Sequence, residues 1–66
     1  MEIILNGKPH PLPGQMNVME LVTSLGYAGK RIAVECNDEI VPRSRHASTL
    51  LGAGDRVEIV VAVGGG

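Results

Sequence analysis

The chain has 66 residues and a formal charge of −1 at pH 7, with six basic and seven acidic side chains. This length corresponds to one small domain. The near-neutral charge excludes the strongly basic surface typical of nucleic-acid binders and the polybasic segment of a membrane anchor. Hydrophobic residues make up 44% of the chain and aromatic residues only 2%, so the expected core is aliphatic. One cysteine excludes an internal disulfide, and with two histidines it provides no zinc ligand set, so no metal is expected.

The beginning of the chain, residues 1–6, lacks the basic region and the long apolar stretch of a secretory signal. The longest apolar run, residues 59–63, is far shorter than the ~20 residues that cross a bilayer. Together with a free thiol, these features predict a cytoplasmic protein that binds neither membrane nor nucleic acid. A chain this short has little room to enclose an enzyme pocket, so a carrier or binding module is expected rather than an enzyme.

A β-hairpin is predicted first. Residues 2–5 are rich in Ile and Leu, and Asn6-Gly7 is a strong signal for a two-residue hairpin turn. The returning strand, residues 8–13, has prolines at three alternate positions, which can all direct their nitrogens away from the partner strand. We therefore expect this second strand at the edge of a sheet.

An amphipathic helix is predicted over residues 17–25. Apolar residues recur there at the spacing of one helical face: Val18, Leu21, Val22 and Leu25. Asn17 and Glu20 have the spacing of a capping box at the beginning of the helix, and Gly26 is placed to end it.

The second half of the chain predicts three more strands. Residues 31–37 alternate as a half-buried strand, and residues 40–42 form a very short one that a proline closes. One helical turn and a loop are expected over residues 43–51, and a turn over residues 52–55. The final strand, residues 56–63, is apolar on one face and only partly polar on the other, which favours a central position. The predicted core is Ile3, Leu5, Val18, Leu21, Val22, Leu25, Ile32, Val34, Val57, Ile59 and Val61.

The predicted order β-β-α-β-β-β is typical of a β-grasp (ubiquitin-like) domain of the α+β class, a mixed sheet with one main helix packed on one face. In that fold the second strand is an edge and the last strand lies centrally beside the first. Residues 1–63 are therefore predicted to form a single domain. Residues 64–66 are predicted to form a flexible glycine tail, with amide order parameters below about 0.6 in the free chain.

The glycine tail, Gly64, Gly65 and Gly66, is the most informative feature for function. Three extended residues reach roughly 10 Å, and without Cβ atoms they can enter a narrow channel in another protein. A carboxylate at the end of such a tail is ionised at pH 7 and must be activated before a nucleophile attacks it, which condensation with ATP to an acyl-adenylate achieves. Composition alone also fits a flexible linker, but the direct junction with a strand counts against one.

Six stretches of the chain carry a resemblance to a known family: residues 3–7, 20–22, 32–37, 40–43, 54–60 and 63–66. Through them the chain resembles the ThiS family, the sulfur carriers of thiamine biosynthesis, over essentially its whole length. The resemblance implies that Gly66 is adenylated and converted to a thiocarboxylate. It implies a ThiF-like adenylyltransferase, a cysteine-derived sulfur donor and a ThiG-like thiazole synthase as partners. The carrier is expected to be monomeric when free and to bind no cofactor, because the activating partner uses the ATP.

We expect the glycine tail to enter a partner channel and Val60, Ala62 and Arg43 to contribute to docking. The family often has Trp where His46 stands, and aromatic residues in the first or last strand, where this chain has none. These departures concern partner docking more than the chemistry of the tail. His10 and His46 are predicted to be surface or edge residues.

Cys36 is in phase with Ile32 and Val34 and is expected to face inward as a small hydrophobe, without a neighbour in sequence that would stabilise its thiolate. A catalytic role for this cysteine is not expected.

Three other functions fit parts of the pattern. A MoaD-like small subunit of molybdopterin synthase shares the fold and the Gly-Gly end, although that family tends to be longer and richer in Phe. A TGS-like regulatory or RNA-binding module would not need the terminal glycines and would favour a basic surface. A protein-conjugating, ubiquitin-like role uses the same activation chemistry, and the sequence alone leaves it open.

Overall fold

The computed structural model describes residues 1–62 and contains a five-stranded mixed sheet with a helix packed on one face. The elements are β1 (Glu2–Leu5), β2 (Lys8–Pro11), α1 (Val18–Ser24), β3 (Ile32–Cys36), β4 (Glu39–Val41), a 3₁₀ helix (Arg43–Ser48) and β5 (Arg56–Val61). The order across the sheet is β2-β1-β5-β3-β4, with β1 and β5 parallel and the other pairs antiparallel. The predicted β-grasp fold is confirmed, including the central last strand beside the first.

The first hairpin forms as its turn residues predict. Asn6 and Gly7 both have positive φ angles, 50° and 82°, as a two-residue type I′ turn requires. The register pairs Ile4 with Pro9, and the backbone N–H of Leu12 extends the pairing by donating to the carbonyl of Met1 at 2.7 Å. The prolines of β2 therefore alternate with the residues that bond to β1, and β2 is the predicted edge.

The predicted capping box is present at the beginning of α1. The Asn17 side chain accepts a hydrogen bond from the Glu20 N–H at 2.8 Å, and the Glu20 carboxylate accepts one from the Asn17 N–H at 2.9 Å. Gly26, with φ of 79°, follows the last helical residues and allows the chain to leave the helix.

The core joins the inner faces of α1 and the sheet, and the periodicity predicts most of it. Its buried apolar residues are Ile3, Leu12, Val18, Leu21, Val22, Val34, Val41, Leu51, Val57 and Ile59. The predicted core residues Leu5, Leu25, Ile32 and Val61 are only half-buried. Leu12, Val41 and Leu51 were not predicted, because each lies in a short or irregular segment that has no helical or strand periodicity to indicate its direction.

The prediction that His46 lies on the surface is wrong. The segment predicted as one helical turn is a six-residue 3₁₀ helix that packs against α1, and His46 is only 4% exposed in it. Its Nε2 atom lies 3.1 Å from the backbone carbonyl oxygen of Val41, a hydrogen bond that compensates the burial of the ring. The sequence does not show that the His46 side chain points inward, because a 3₁₀ helix has three residues per turn and follows no α-helical periodicity. His10, in contrast, lies on the edge strand β2 as predicted.

Residues 63–66 lie outside the described residues, and with them the end of the predicted last strand and the predicted flexible tail. Among residues 1–62, no helix has the length and apolar character needed to cross a membrane.

Candidate functional site

The central strand β5 precedes the glycine tail in sequence, and neighbouring strands hold β5 on both sides. β1 pairs with its first half, and β3 pairs with it from Val57 to Val61. The backbone N–H of Ala62 then donates to the carbonyl of Arg31 at 2.9 Å, beyond the last residue of the strand. The point from which residues 63–66 continue is therefore set by the backbone of the sheet.

Asn6 extends the support of β5 beyond the end of β1. Its side-chain oxygen accepts a hydrogen bond from the Ile59 N–H at 2.9 Å, and its side-chain nitrogen is 3.4 Å from the Ile59 carbonyl oxygen. The amide thus replaces the backbone partner that β1 no longer supplies. Sequence analysis identified Asn6 only as a turn residue and missed this role, which depends on the register between β1 and β5.

Asn37 fixes the beginning of β5 in a similar way. It has a positive φ of 52° in the turn between β3 and β4. Its side-chain oxygen accepts from the Arg56 N–H at 2.9 Å, and its side-chain nitrogen donates to the Asp55 carboxylate at 3.1 Å. The other Asp55 oxygen accepts from the Gly52 N–H at 2.7 Å and closes the preceding turn. Asn6 and Asn37 together hold β5 in register from its first residue.

A surface groove lies beside the end of β5. It has a volume of about 280 Å³ and is lined by Arg31, Ile32, Ala33, Arg43, Val60 and Ala62. We call this the docking groove. The three predicted docking residues therefore line one surface, and Val60 is 63% exposed in it. Sequence analysis missed Arg31 and Ala33, because only the antiparallel β3–β5 register, which pairs Ala33 with Val60, brings them to the same place.

The Arg43 side chain reaches the docking groove from the 3₁₀ helix. Its Nη2 atom donates to the carbonyl oxygen of Lys30 at 2.9 Å, which holds the guanidinium next to the beginning of β3. Arg43 and Ile32 also line a smaller cavity of about 70 Å³, whose lining includes Tyr27 and His46. Arg43 thus lies between this cavity and the docking groove.

Cys36 lies at the other end of β3 from the docking groove and, as predicted, packs against the core. Burial raises the pKa of the Cys36 thiol, and the carboxylates of Asp55 and Glu39 raise that pKa further. The Oδ2 atom of Asp55 is 4.0 Å from the sulfur. The surroundings of the thiol therefore disfavour the thiolate, the reactive form of cysteine.

Alkylation of Cys36 by iodoacetamide should be slow at pH 8, with a rate midpoint at higher pH than that of free cysteine in the same buffer. The raised pKa also means that the folded chain binds the thiol proton more tightly than the unfolded chain does. This contribution to stability should be complete below the pKa of the unfolded thiol and be lost as the pH rises through the folded pKa.

The measurement is the alkylation rate by mass spectrometry from pH 7 to 10, with Glu39→Gln as the control. Because Glu39 is the weakest of the three causes, this variant should lower the midpoint only slightly. A wild-type midpoint below that of free cysteine would show an activated thiol and contradict the prediction.

Among residues 1–62, no three side chains of His, Cys, Asp or Glu approach one another closely enough to hold a metal ion. The candidate site is the end of β5 and the docking groove, which lies beside Val60 and Ala62.

Comparison with known proteins relates this arrangement to one family. Residues 3–66 match the model of the ThiS family. The crystal structure of the thiamine biosynthesis protein ThiS from Geobacter metallireducens is 36% identical and has a TM-score of 0.84, and the match covers 100% of both chains. The solution structure of a thiamine biosynthesis protein from the same organism is also 36% identical, with a TM-score of 0.83 over 100% of this chain and 88% of that one.

The curated relatives include much longer proteins. A thiazole synthase of Paramagnetospirillum magneticum is 39% identical and one of Magnetococcus marinus 36% identical, each over 100% of this chain and 20% of its own length. The chain therefore spans about a fifth of these two proteins. The uncharacterized protein ycf40 of Pyropia yezoensis is 33% identical over 100% of this chain and 93% of its own length.

Proposed function

Because the chain belongs to the ThiS family, we propose that it carries sulfur for thiazole formation in thiamine biosynthesis, on the carboxyl carbon of Gly66. The observation that carries this proposal is the family match, which continues through residue 66 and so includes all three tail glycines. The chain then acts as a protein co-substrate, and its partner enzymes supply the catalysis.

Loading of sulfur takes two steps. First, a carboxylate oxygen of Gly66 attacks the α-phosphorus of ATP, pyrophosphate leaves, and an acyl-adenylate forms. Next, a sulfur nucleophile at the oxidation level of hydrosulfide attacks the carbonyl carbon, and AMP leaves with the oxygen that was bonded to phosphorus. The net result is exchange of one oxygen for one sulfur without oxidation or reduction. A ThiF-like adenylyltransferase catalyses the activation, and the sulfur derives from cysteine.

A thiazole synthase similar to ThiG is the proposed acceptor of the sulfur. Two thiazole synthases contain a region similar to this chain within a longer protein, which supports a contact between a carrier of this kind and such a synthase.

The position of the docking groove supports Val60, Ala62 and Arg43 as docking residues. A tail of three residues extends only roughly 10 Å, so a partner that receives it must cover the surface beside the end of β5. The docking groove, lined by apolar side chains and two arginines, is the surface at that place.

The experiment that tests this function is incubation of the chain with a ThiF-like adenylyltransferase, ATP and sulfide, followed by intact-protein mass spectrometry. The expected product has one oxygen replaced by sulfur, mapped to the peptide that ends in Gly66. Cys36→Ser is the control and should keep this exchange in the fraction that folds. Absence of this exchange, or an exchanged sulfur that maps to a peptide other than the one ending in Gly66, would contradict the proposal.

The MoaD-like and TGS-like alternatives are less well supported. The matching family model is that of ThiS, and both solved structures are thiamine biosynthesis proteins at 36% identity.

A further inference from the structure

We propose that the exposed face of the sheet carries charges in a fixed order, acidic then apolar then basic, and that this order selects and orients the enzyme that receives the tail. We call the sheet face opposite α1 the open face. The inference rests on the proposed function for the identity of the partner, the adenylating enzyme. It concerns a surface rather than the chemistry of Gly66.

The β3–β5 register creates the order. Glu35 lies opposite Glu58, and two residues further along β5, Ala33 lies opposite Val60. The next position on this face combines Ala62 with Arg31, whose carbonyl accepts the Ala62 N–H. Each step of two residues advances about 7 Å along a strand, so the open face changes from acidic to basic within about 13 Å.

The basic end of the open face has no carboxylate partner among the described residues. The ion pair of residues 1–62, Arg56 with Asp38 at 3.1 Å, lies at the other end of β5. Arg43 donates to the Lys30 carbonyl, which is an uncharged acceptor. A purely apolar partner on the docking groove would therefore remove water from the guanidinium groups of Arg31 and Arg43 without replacing it, which is costly. The partner must supply carboxylates there.

The acidic end requires the opposite charge. Glu35 and Glu58 lie directly opposite each other, and like charges in such cross-strand pairs are destabilising. Arg56 lines a surface pocket together with Glu35 and Glu58, but its guanidinium bonds to the Asp38 carboxylate. A lysine or arginine from the partner would relieve the repulsion between the two glutamates.

The fitting partner surface is therefore basic, then apolar, then acidic along the direction from the beginning of β5 to its end. This order orients the carrier, because a carrier docked the other way would direct its short tail away from the active site. The net charge of −1 does not show the segregation.

A second copy of the chain, rotated by half a turn, would also present the complementary order. Beside the docking groove, however, the apolar side chains of the open face are the small ones of Ala33, Val60 and Ala62, and the exposed Ile40 lies at the acidic end, opposite Glu35. A stable dimer commonly buries about 800 Å² on each partner, whereas the accessible surface of this chain is 4375 Å². The three small side chains make up little of such an interface, whereas an enzyme gains further contact by enclosing the tail. The enzyme is therefore the proposed occupant.

The test inverts the order without changing the net charge, with the paired substitution Arg43→Glu and Glu58→Arg. The matched control is Lys8→Glu with Glu39→Arg, which exchanges the same charges away from the docking groove. Pyrophosphate release is measured against carrier concentration with the adenylating enzyme and ATP. The inverted variant should show a KM raised about tenfold with little change in kcat, and the control should match the wild type.

A second inversion, Arg31→Glu with Glu35→Arg, leaves the Arg43–Lys30 bond in place and should raise KM in the same way. Thermal unfolding of each variant shows that it is folded.

Failure of the wild type to form an adenylate would contradict the proposed function. Calorimetry with the same enzyme in the absence of ATP measures the Kd of docking separately from adenylation. Equal Kd values for wild-type and inverted chains would overturn the inference. A wild-type dimer in light scattering that the inversion abolishes would also overturn it, because a second copy would then occupy the face.

Discussion

Removal of Gly66 should abolish sulfur transfer while the domain stays folded. The buried apolar residues all lie between Ile3 and Ile59 among the described residues, so the deletion touches no part of this core. On the proposed mechanism, the new terminal carboxylate would lie one residue, roughly 3.5 Å, short of the position at which Gly66 meets ATP. A displacement of this size is large compared with the tolerance of reacting groups, for which even 1 Å costs about 100-fold in rate.

The matched control adds one alanine after Gly66. It also leaves the core unchanged, but on the proposed mechanism it would move the carboxylate one residue past the ATP and place a methyl group beside the reacting carbon. Both variants should keep the wild-type melting temperature by circular dichroism and show no oxygen-to-sulfur exchange by mass spectrometry. Full exchange in the shortened chain would show that the reaction does not depend on the reach of the tail to Gly66 and would contradict the prediction.

Sequence analysis predicted the framework of the fold because several local signals agree with one another. The alternate prolines of β2 restrict that strand to an edge, and the Asn17–Glu20 capping box fixes where α1 begins. Each signal depends on neighbouring residues only, so it can be interpreted without knowing the fold. The position of β5 at the centre of the sheet then follows from its one apolar face and its other, only partly polar face.

The features that sequence analysis missed depend on contacts between distant residues. His46 is buried because the 3₁₀ helix packs on α1 and the Val41 carbonyl lies within reach of its ring. Asn6 bonds to Ile59, which is 53 residues away. Arg31 and Ala33 lie beside the predicted docking residues only because of the β3–β5 register, which the sequence does not reveal. No periodicity within one segment contains this information.

The candidate site was predictable only in part, because some of its features lie within one segment and others depend on the pairing of two strands. Val60, Ala62 and Arg43 were identified from the unexpectedly apolar outer face of β5 and from a basic turn, and the structure places all three in one groove. The order of charge along the open face was not predictable, because it combines residues from two strands whose pairing the sequence does not specify.

Leu21→Ala should destabilise the domain by about 2–5 kcal/mol, because it leaves a cavity in a core that cannot collapse to fill it. Leu21 is fully buried, at 0% exposure, on the inner face of α1. Small domains have total stabilities at or below the lower end of the usual range of about 5–15 kcal/mol. This single change should therefore remove a large share of the free energy of unfolding, or unfold the chain at 37 °C.

Met19→Ala is the matched control for this prediction. It shortens a side chain of similar size on the same helix, but Met19 is 39% exposed, so the loss should stay below about 1 kcal/mol. Urea denaturation followed by circular dichroism gives the free energy of unfolding for both variants. Because α1 is the helix that covers the sheet, an unchanged midpoint for Leu21→Ala, or a larger loss for Met19→Ala, would mean that α1 presents a different face to the core.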